Sequence, residues 1–462
     1  MSEPVFDINW AAAAIGGRLE VNSQGVREFS KVVIDTREDV TGALFVAIKG
    51  PRFDGHDFVR QALDAGAAAV MVSNVDIGVG ASRIIVEDTL TALQALSCAN
   101  RNRFKGKVVG ITGSNGKTTT RRILTSILKM SRLTHEPRKN FNNHIGVPLT
   151  LLELSDEMDA AVLELGCSDF GEISALTKLA DPDVALITNV GPAHLEKLID
   201  LDGVARAKGE LFAGLRSNAV AVINLDDPRV ANMTTPASEK ITFGRCVDAD
   251  VRLINRSVKK DGTQIVTIFL QGISIESKLP LPGAHNAQNA VAAAAAAIAA
   301  GASPDEIQRG LASTPQTTGR LATLKGPQGT TIIDDTYNAN PVSTAAALGV
   351  LAELPKGAGR LAVLSDLLEL GKSAAEAHRK TGRLAAASNL KILITMGEGG
   401  AWIREGAIEA GMNEKYCHHA RSHEEASEVA LKILKPGDTV LVKGSRGVKM
   451  EVVVKLLTEG VS

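Results

Sequence analysis

From Thr112 to Thr118 the chain reads Thr-Gly-Ser-Asn-Gly-Lys-Thr, an order of residue types that can hold a phosphate chain. Gly113 and Gly116 carry no side chain, so the backbone N–H groups of the loop and of the helix N-terminus can close on an anion. Lys117 then reaches the outer phosphates, and the Thr118 hydroxyl serves the magnesium that accompanies them. Thr119 opens the following helix. The spacing departs from the usual Gly-x-x-x-x-Gly-Lys-[Ser/Thr], because Ile111 stands where the first glycine would be. A glycine turn beside a surface lysine is the competing account. Against it, an apolar run before the loop and a helical pattern over 119–128 supply the strand and helix that a cradle needs. The loop implies a nucleoside triphosphate and leaves open what its energy drives.

Other polar residues fall where strands are expected to end. Glu164 lies near the end of an apolar run over 160–165, and His194 follows another over 184–188. In a mainly parallel sheet both would share the edge of the phosphate loop, where ligands of open α/β sheets bind. A carboxylate on an apolar strand needs a partner, and magnesium, which prefers oxygen, would be one. For His194 a hydrogen-bonded loop histidine competes with the metal ligand. Lys208, in a helix over 205–211, reads by itself as an ordinary exposed lysine. Asn286 and Asn289 share a face at the start of a helix that contains the alanine run 290–300, and capping would explain one of them but not both.

Toward the N-terminus, Asp35, Thr36 and Arg37 close a strand over 31–34, while Gly55 and His56 end a loop that follows a strand over 43–48. A surface ion pair of Asp35 and Arg37 competes there with a ligand role. Asn142 and Asn143 belong to a polar loop over 138–148. Residues 248–277 alternate apolar and polar side chains, as a small antiparallel excursion would. Beyond residue 320 four further strand candidates alternate with helices, the pattern of another α/β domain, and their ends carry Asp335, Asn338, Ser365 and Arg446.

At 462 residues the chain exceeds what one core supports, so two to four domains are expected. Its 51 Lys and Arg nearly cancel its 52 Asp and Glu, with no long run of one sign, which argues against general affinity for nucleic acid or anionic membrane. Cys98, Cys167, Cys246 and Cys417 are far apart and show no metal-binding spacing, as expected of a reducing cytoplasm. No signal peptide is expected from the acidic start, and the longest apolar run, 290–300, is too short to insert in a bilayer. With aromatic residues at 3%, the cores must be built from Val, Ile, Leu and Ala, which suits parallel sheets covered on both faces.

Four stretches taken together resemble the Mur ligase family, the ATP-dependent amino-acid and peptide ligases of bacterial cell-wall synthesis. They are Asn140-Phe-Asn-Asn-His-Ile-Gly-Val-Pro148, Ala207-Lys-Gly-Glu210, Asp334-Asp-Thr-Tyr-Asn-Ala-Asn-Pro341 and Val442-Lys-Gly-Ser-Arg-Gly-Val-Lys-Met-Glu451. The resemblance spans essentially the whole chain. Its Tyr337-Asn-Ala-Asn-Pro341 run points to the branch that joins D-alanyl-D-alanine to UDP-N-acetylmuramoyl-tripeptide, since sister ligases and folylpolyglutamate synthase usually read more like Tyr-x-His-x-Pro there. The implied architecture is three α/β domains: a UDP-substrate-binding domain over 1–105, a central P-loop ATPase-type domain over 106–319 and a C-terminal Rossmann-like domain over 320–462.

By the same resemblance ATP is held by Gly113, Ser114, Asn115, Gly116, Lys117, Thr118, Thr119, Asn286, Asn289, Arg320 and Asp335. Thr118, Glu164, His194 and Lys208 serve Mg2+, with Lys208 carbamylated, a change from cation to anion that nearby magnesium would favour. Lys117, Lys208 and His194 are the implied catalytic residues. Asp35, Thr36, Arg37, Gly55 and His56 resemble a uridine-nucleotide grip, and Asn142, Asn143, Asn338 and Arg446 the remaining substrate contacts. A monomeric enzyme of the bacterial cytoplasm is implied. The chain departs from the family at 195–200, which lacks the usual Phe-Gly-Ser, and at Ser365, where glycine is common. Another ligase of the family or a folylpolyglutamate synthase would share the ATP machinery. A transport or motor ATPase would leave the N-terminal domain unexplained, and a non-catalytic homologue would have no need of Lys117, Glu164, His194 and Lys208 together.

Overall fold

The computed structural model describes residues 5–22, 26–138, 141–259, 262–354 and 359–460. Lys139 and Asn140, in the polar loop quoted above, lie outside the described residues, as do residues 1–4. Three α/β domains, each built on its own sheet, follow one another along the chain.

The N-terminal sheet has the strand order Arg18–Glu20, Arg83–Ile85, Ala69–Val72, Ala43–Val46, Lys31–Val33, parallel except at the first pair. Ala43–Val46 and Ala69–Val72 are buried at every residue, which is why they read as unbroken apolar runs. The loop that Gly55 and His56 end runs through a 3-10 turn, Gly55–Phe58, into a helix, Val59–Asp64. The turn forms because the Asp54 carboxylate accepts from the His56 N–H at 3.0 Å.

The central sheet comprises β1 (Lys107–Thr112), β2 (Ala160–Glu164), β3 (Val184–Ile187), β4 (Val220–Asn224), β5 (Glu239–Gly244), β6 (Val251–Val258), β7 (Gln264–Leu270) and β8 (Ile273–Leu279). Their order is β8-β7-β6-β5-β4-β3-β1-β2, with the short strand Thr134–His135 beyond β2. β1 has β2 on one side and β3 on the other, both parallel to it. The chain therefore reverses its winding at β1, and the crevice at its carboxyl end opens onto the phosphate loop. The antiparallel excursion is not a separate unit: β6 pairs in parallel with β5, and β7 and β8 extend the same sheet.

The helices that serve this sheet are α1 (Lys117–Leu128), α2 (Gly146–Leu152), α3 (Leu201–Ala213) and α4 (Ala284–Ala299). α1 starts two residues earlier than its periodicity predicts, because Gly116 at φ 82° turns the chain into the helix without a capping side chain. α4 starts at Ala284 rather than within the alanine run. Residues 290–297 of α4 are at most 2% exposed; their small side chains let the helix lie close against the sheet and α1. The N-terminal core closes over α2, packing against Leu149 and Leu152.

The C-terminal sheet runs Ala322–Lys325, β9 (Thr331–Asp335), β10 (Thr439–Lys443), Arg360–Leu364, Ile392–Met396, Cys417–Ala420, parallel after its first pair. Helix α5 (Pro341–Glu353) follows β9, capped by the Asn340 side chain, which accepts from Ser343 N–H at 2.8 Å. Ser365, one of the two family departures, is buried and donates to the Met396 carbonyl at 2.8 Å. Among the described residues no helix is long and apolar enough to cross a membrane.

Candidate functional site

The carboxyl end of β1 opens into a cavity of about 630 Å³ lined by 114–119, Asn142, Glu164, Asn286, Asn289, Arg320, Asp335 and Asn338. The loop at its floor is fixed from behind. Thr188 Oγ1 donates to the Asn115 carbonyl at 2.6 Å, Asn115 N–H donates to Asn189 Oδ1 at 3.0 Å, and Ser114 Oγ donates to the Gly191 carbonyl at 2.8 Å. Gly113 sits at φ 145°, and a side chain there would collide with the Thr188 hydroxyl. The glycine is required by that close approach as well as by its backbone angle. Lys117 Nζ donates to the Gly113 carbonyl at 2.6 Å. Burial, then the charge of Lys208, pushes the Lys117 ammonium down to about 8 against the pull of Glu164.

Glu164 is 7% exposed at the end of β2 and is fully engaged. Its carboxylate accepts from Thr118 Oγ1 at 2.7 Å and Asn142 Nδ2 at 3.0 Å, with Arg121 Nε 3.9 Å away. Burial works to raise its pKa, yet Lys117, the Thr118 hydrogen bond, Arg320 and Asn142 outweigh it and hold the carboxyl below the ordinary range. The expectation that a carboxylate here must have partners is met by protein groups as well as by the metal it could bind. Glu164 and Thr118 offer hard oxygen donors, which fit magnesium. Among the described residues no group of three or more His, Cys, Asp and Glu could hold a metal unaided, so phosphate oxygens would have to complete the coordination.

Lys208 is not the exposed helical lysine that its local sequence suggests. It is 1% exposed on α3, where its Nζ donates to Cys167 Sγ at 3.0 Å. His194, at φ 52°, pairs through Nδ1 with Glu369 of the C-terminal domain at 3.0 Å. Burial lowers its imidazole pKa against the pull of Glu369, and Lys208 and Lys117 lower it further. Lys208 thus bears on both Lys117 and His194, although neither His194 nor Lys208 lines the cavity. The departing stretch after His194 forms a short helix, Leu195–Leu198, and Asp200 then caps α3.

The C-terminal domain reaches into the same cavity. Arg320 Nη2 donates to Thr118 Oγ1 at 3.0 Å and its guanidinium lies 4.2 Å from the Tyr337 ring centroid. Asn340 Nδ2 donates to Asn115 Oδ1 at 2.8 Å. Lys443, at the end of β10 and 2% exposed, donates to Asp335 Oδ2 at 2.5 Å and to the Asn338 carbonyl at 2.9 Å. Lys443 and Tyr337 fall within the stretches that carry the family resemblance but receive no individual role from it, and neither does His285; for Lys443 the available signal is a lysine closing an apolar strand. Neither Asn286 nor Asn289 caps α4. Asn286 Nδ2 instead donates to the Pro282 carbonyl at 2.7 Å, and Asn289 Nδ2 to Asn286 Oδ1 at 3.0 Å.

His285 lines the cavity, and burial pushes its imidazole down to about 4, with Asp335 and Glu353 opposing and Lys443 and Arg256 assisting. An unfolded histidine binds its proton near pH 6.5, so stability present above that pH is lost as pH falls toward 4, by on the order of 3 kcal/mol. Thermal unfolding between pH 6.5 and 4.5 should therefore fall more steeply in the unsubstituted protein than in His285→Asn. Equal slopes would remove His285 as the cause.

The N-terminal candidates lie outside this cavity. Asp35 and Arg37 form the exposed ion pair that competed with a ligand role, at 2.6 Å with Arg37 88% exposed. His56 is engaged at both ring nitrogens, accepting from the Ser73 N–H at 3.0 Å and meeting Asp54 Oδ1 at 2.6 Å. At Gly55 a side chain would come 2.6 Å from the Ile48 nitrogen. Gly55 and His56 thus shape the loop. Asn143 Oδ1 accepts from the N–H groups of Ile145 at 3.1 Å and Gly146 at 2.8 Å, which fixes the turn that enters α2. Arg446 is largely exposed, pairs with Glu451 at 3.2 Å and lies 5.8 Å from the Tyr337 ring.

Residues 28–101 match the Mur ligase family catalytic domain, 111–297 the Mur ligase middle domain, and 319–446 the Mur ligase glutamate ligase domain. The UDP-N-acetylmuramoyl-tripeptide–D-alanyl-D-alanine ligase of Bacillus subtilis is 38% identical over 430 residues, 93% of each chain. A crystal structure of MurF from Acinetobacter baumannii superposes with a TM-score of 0.90 at 32% identity, covering 99% of both chains. MurF of Thermotoga maritima in complex with ADP gives a TM-score of 0.81 at 30% identity, covering 92% of this chain and 96% of that one.

Proposed function

This chain belongs to the Mur ligase family, and we propose that it uses ATP to join D-alanyl-D-alanine to UDP-N-acetylmuramoyl-tripeptide, giving the UDP-linked pentapeptide of peptidoglycan synthesis. The observation that carries this reading is the placement of the Tyr337-Asn-Ala-Asn-Pro341 run. Asn340 bonds to Asn115 of the phosphate loop, so the stretch that marks this acceptor faces the nucleotide across one cavity. Residues 1–105 would hold the UDP end of the substrate, 106–319 the ATP, and 320–462 the incoming dipeptide. The enzyme would act as a monomer in the bacterial cytoplasm.

In the first step a carboxylate oxygen of the tripeptide attacks the γ-phosphorus, the bond to ADP breaks, and an acyl phosphate forms. In the second, the amine of D-alanyl-D-alanine attacks the acyl carbon, loses a proton and expels phosphate. Negative charge builds on transferred or leaving oxygens in both, so fixed cations and N–H groups supply most of the catalysis. Lys117 and the N–H groups that open α1 hold the phosphates, since the Ser114 and Asn115 N–H groups are spent on Asn189; Arg320 adds a second cation, and Asn286 and Asn289 flank the nucleotide. Thr118 and Glu164 would hold magnesium, with His194 behind them, and the ion would neutralise phosphate oxygens. Lys208 as a neutral amine can add to carbon dioxide, forming an N–C bond and releasing a proton. The product is an anion where a cation now crowds Lys117 and His194. Asn142, Asn338 and Arg446 border the space left for the peptides, and the C-terminal domain keeps water from the acyl phosphate.

The test is phosphate release from ATP and magnesium with UDP-N-acetylmuramoyl-tripeptide, with and without D-alanyl-D-alanine, using tripeptides ending in lysine and in diaminopimelate separately. Release that needs both substrates, with the pentapeptide as product, is expected for one tripeptide. Release with neither substrate, and no ligated product, would overturn the acceptor assignment.

A further inference from the structure

Gln264 has no exposed surface, although it starts β7 in an antiparallel ribbon to which the ligation chemistry assigns no role. A fully buried amide must be bonded at both ends. Its Nε2 donates to the carbonyls of Leu281 at 2.5 Å and Gly283 at 3.0 Å, and its Oε1 accepts from Arg256 Nη1 at 3.0 Å. Gly283 is the residue from which α4 departs, with no side-chain cap of its own. The glutamine therefore ties down the backbone from which His285, Asn286 and Asn289 project.

Arg256 reaches the opposite way. Its Nη1 and Nη2 donate to the two carboxylate oxygens of Glu353 at 2.9 and 2.5 Å, a fork that fixes direction as well as distance. Glu353 is the last residue of α5 and belongs to the C-terminal domain. The two side chains are 19% and 34% exposed, so solvent screens the pair only in part.

We propose that Gln264 and Arg256 are positioning residues that transmit the docking of the C-terminal domain, sensed at Glu353, to the first turns of α4 beside the nucleotide. The inference rests on the reading of the cavity as an ATP site. Each link is direct: undocking α5 breaks two charge-assisted hydrogen bonds and frees Arg256, and without Arg256 a buried amide oxygen loses its donor. That oxygen belongs to the side chain that holds the Gly283 carbonyl. Coupling of this kind is reciprocal, so nucleotide in the cavity favours the docked domain as much as docking favours the nucleotide.

The experiment is calorimetric titration of ADP into the full chain and into Arg256→Ala, Glu353→Ala and the double variant, with ATP kinetics on the same proteins. Each single substitution is expected to weaken ADP about fivefold and to raise KM for ATP more than it lowers kcat. The double variant is expected to lose no more than the weaker-binding single. Glu353→Ala removes a partly exposed carboxylate at a helix end, so folding is not at stake in that arm. ADP affinity unchanged in either single variant, or losses that multiply in the double, would overturn the proposal. The titration needs no acceptor, so a failed ligation assay would count against the proposed reaction alone.

Discussion

Lys208→Ala will lose ligation by about a thousandfold or more, the scale on which an electrostatic group of an active site is felt. The side chain is almost wholly buried, its Nζ donates to the Cys167 sulfur as its one hydrogen bond among the described residues, and it bears on two other positively charged or chargeable groups. As a cation this side chain repels the Lys117 ammonium. A carbamate would reverse the sign and turn repulsion into attraction toward Lys117. Ligation rates of the alanine variant should recover in part with a short carboxylic acid such as acetate, which restores the anion, and not with bicarbonate, which has no amine to join. Turnover near that of the unsubstituted protein would remove the carbamate from the mechanism.

The second large effect falls on Glu164. Glu164→Gln keeps the volume and an acceptor for the Thr118 hydroxyl, but it cancels the charge that faces Lys117, Arg320 and Arg121. Magnesium-dependent ligation should drop by about 10²- to 10³-fold. The substitution also has a pH signature. Glu164 holds the Lys117 ammonium up, toward its ordinary value, so without that carboxylate the amine loses its proton below about 8. ADP affinity in the variant should therefore weaken more between pH 7 and pH 8 than it does in the unsubstituted protein, which parallel titrations would show. A variant with unaltered magnesium-dependent turnover would end the assignment of Glu164 as a metal ligand.

What was legible in the sequence was local. The phosphate loop announces itself because its strand, its glycines and its helix are contiguous, and the three-domain α/β arrangement follows from strands and helices alternating along the chain. Residues at strand ends, such as Glu164 and Asp335, could be assigned to one edge because a parallel sheet leaves them no other. What stayed hidden depends on partners distant in sequence. Lys208 is buried by Cys167, 41 residues away, and nothing within its own helix signals that. Lys443 acquires its meaning from Asp335, 108 residues away. For Asn286 and Asn289 capping could be weighed for one of the pair because a helix start is a local feature, whereas the glutamine that holds that start comes from another strand. The ribbon 251–279 alternated correctly, but no pattern within it revealed that it extends the central sheet.

The connection between the second and third sheets carries a mechanical consequence. Gln316 is tied to the central domain, donating to the Pro280 carbonyl at 3.1 Å, while Gly319 N–H is tied to Asp334 of the C-terminal sheet at 2.8 Å. Gln316 Oε1 also accepts from the Thr323 N–H of that sheet at 3.0 Å, so a swing of the third domain pivots about the junction 316–319 as a whole, and Arg320 is the first side chain beyond it. A group so near the pivot has a short lever arm and rotates almost in place. The guanidinium on Thr118 is thus a contact that domain motion strains little, and the grip at the nucleotide can persist while the domain swings.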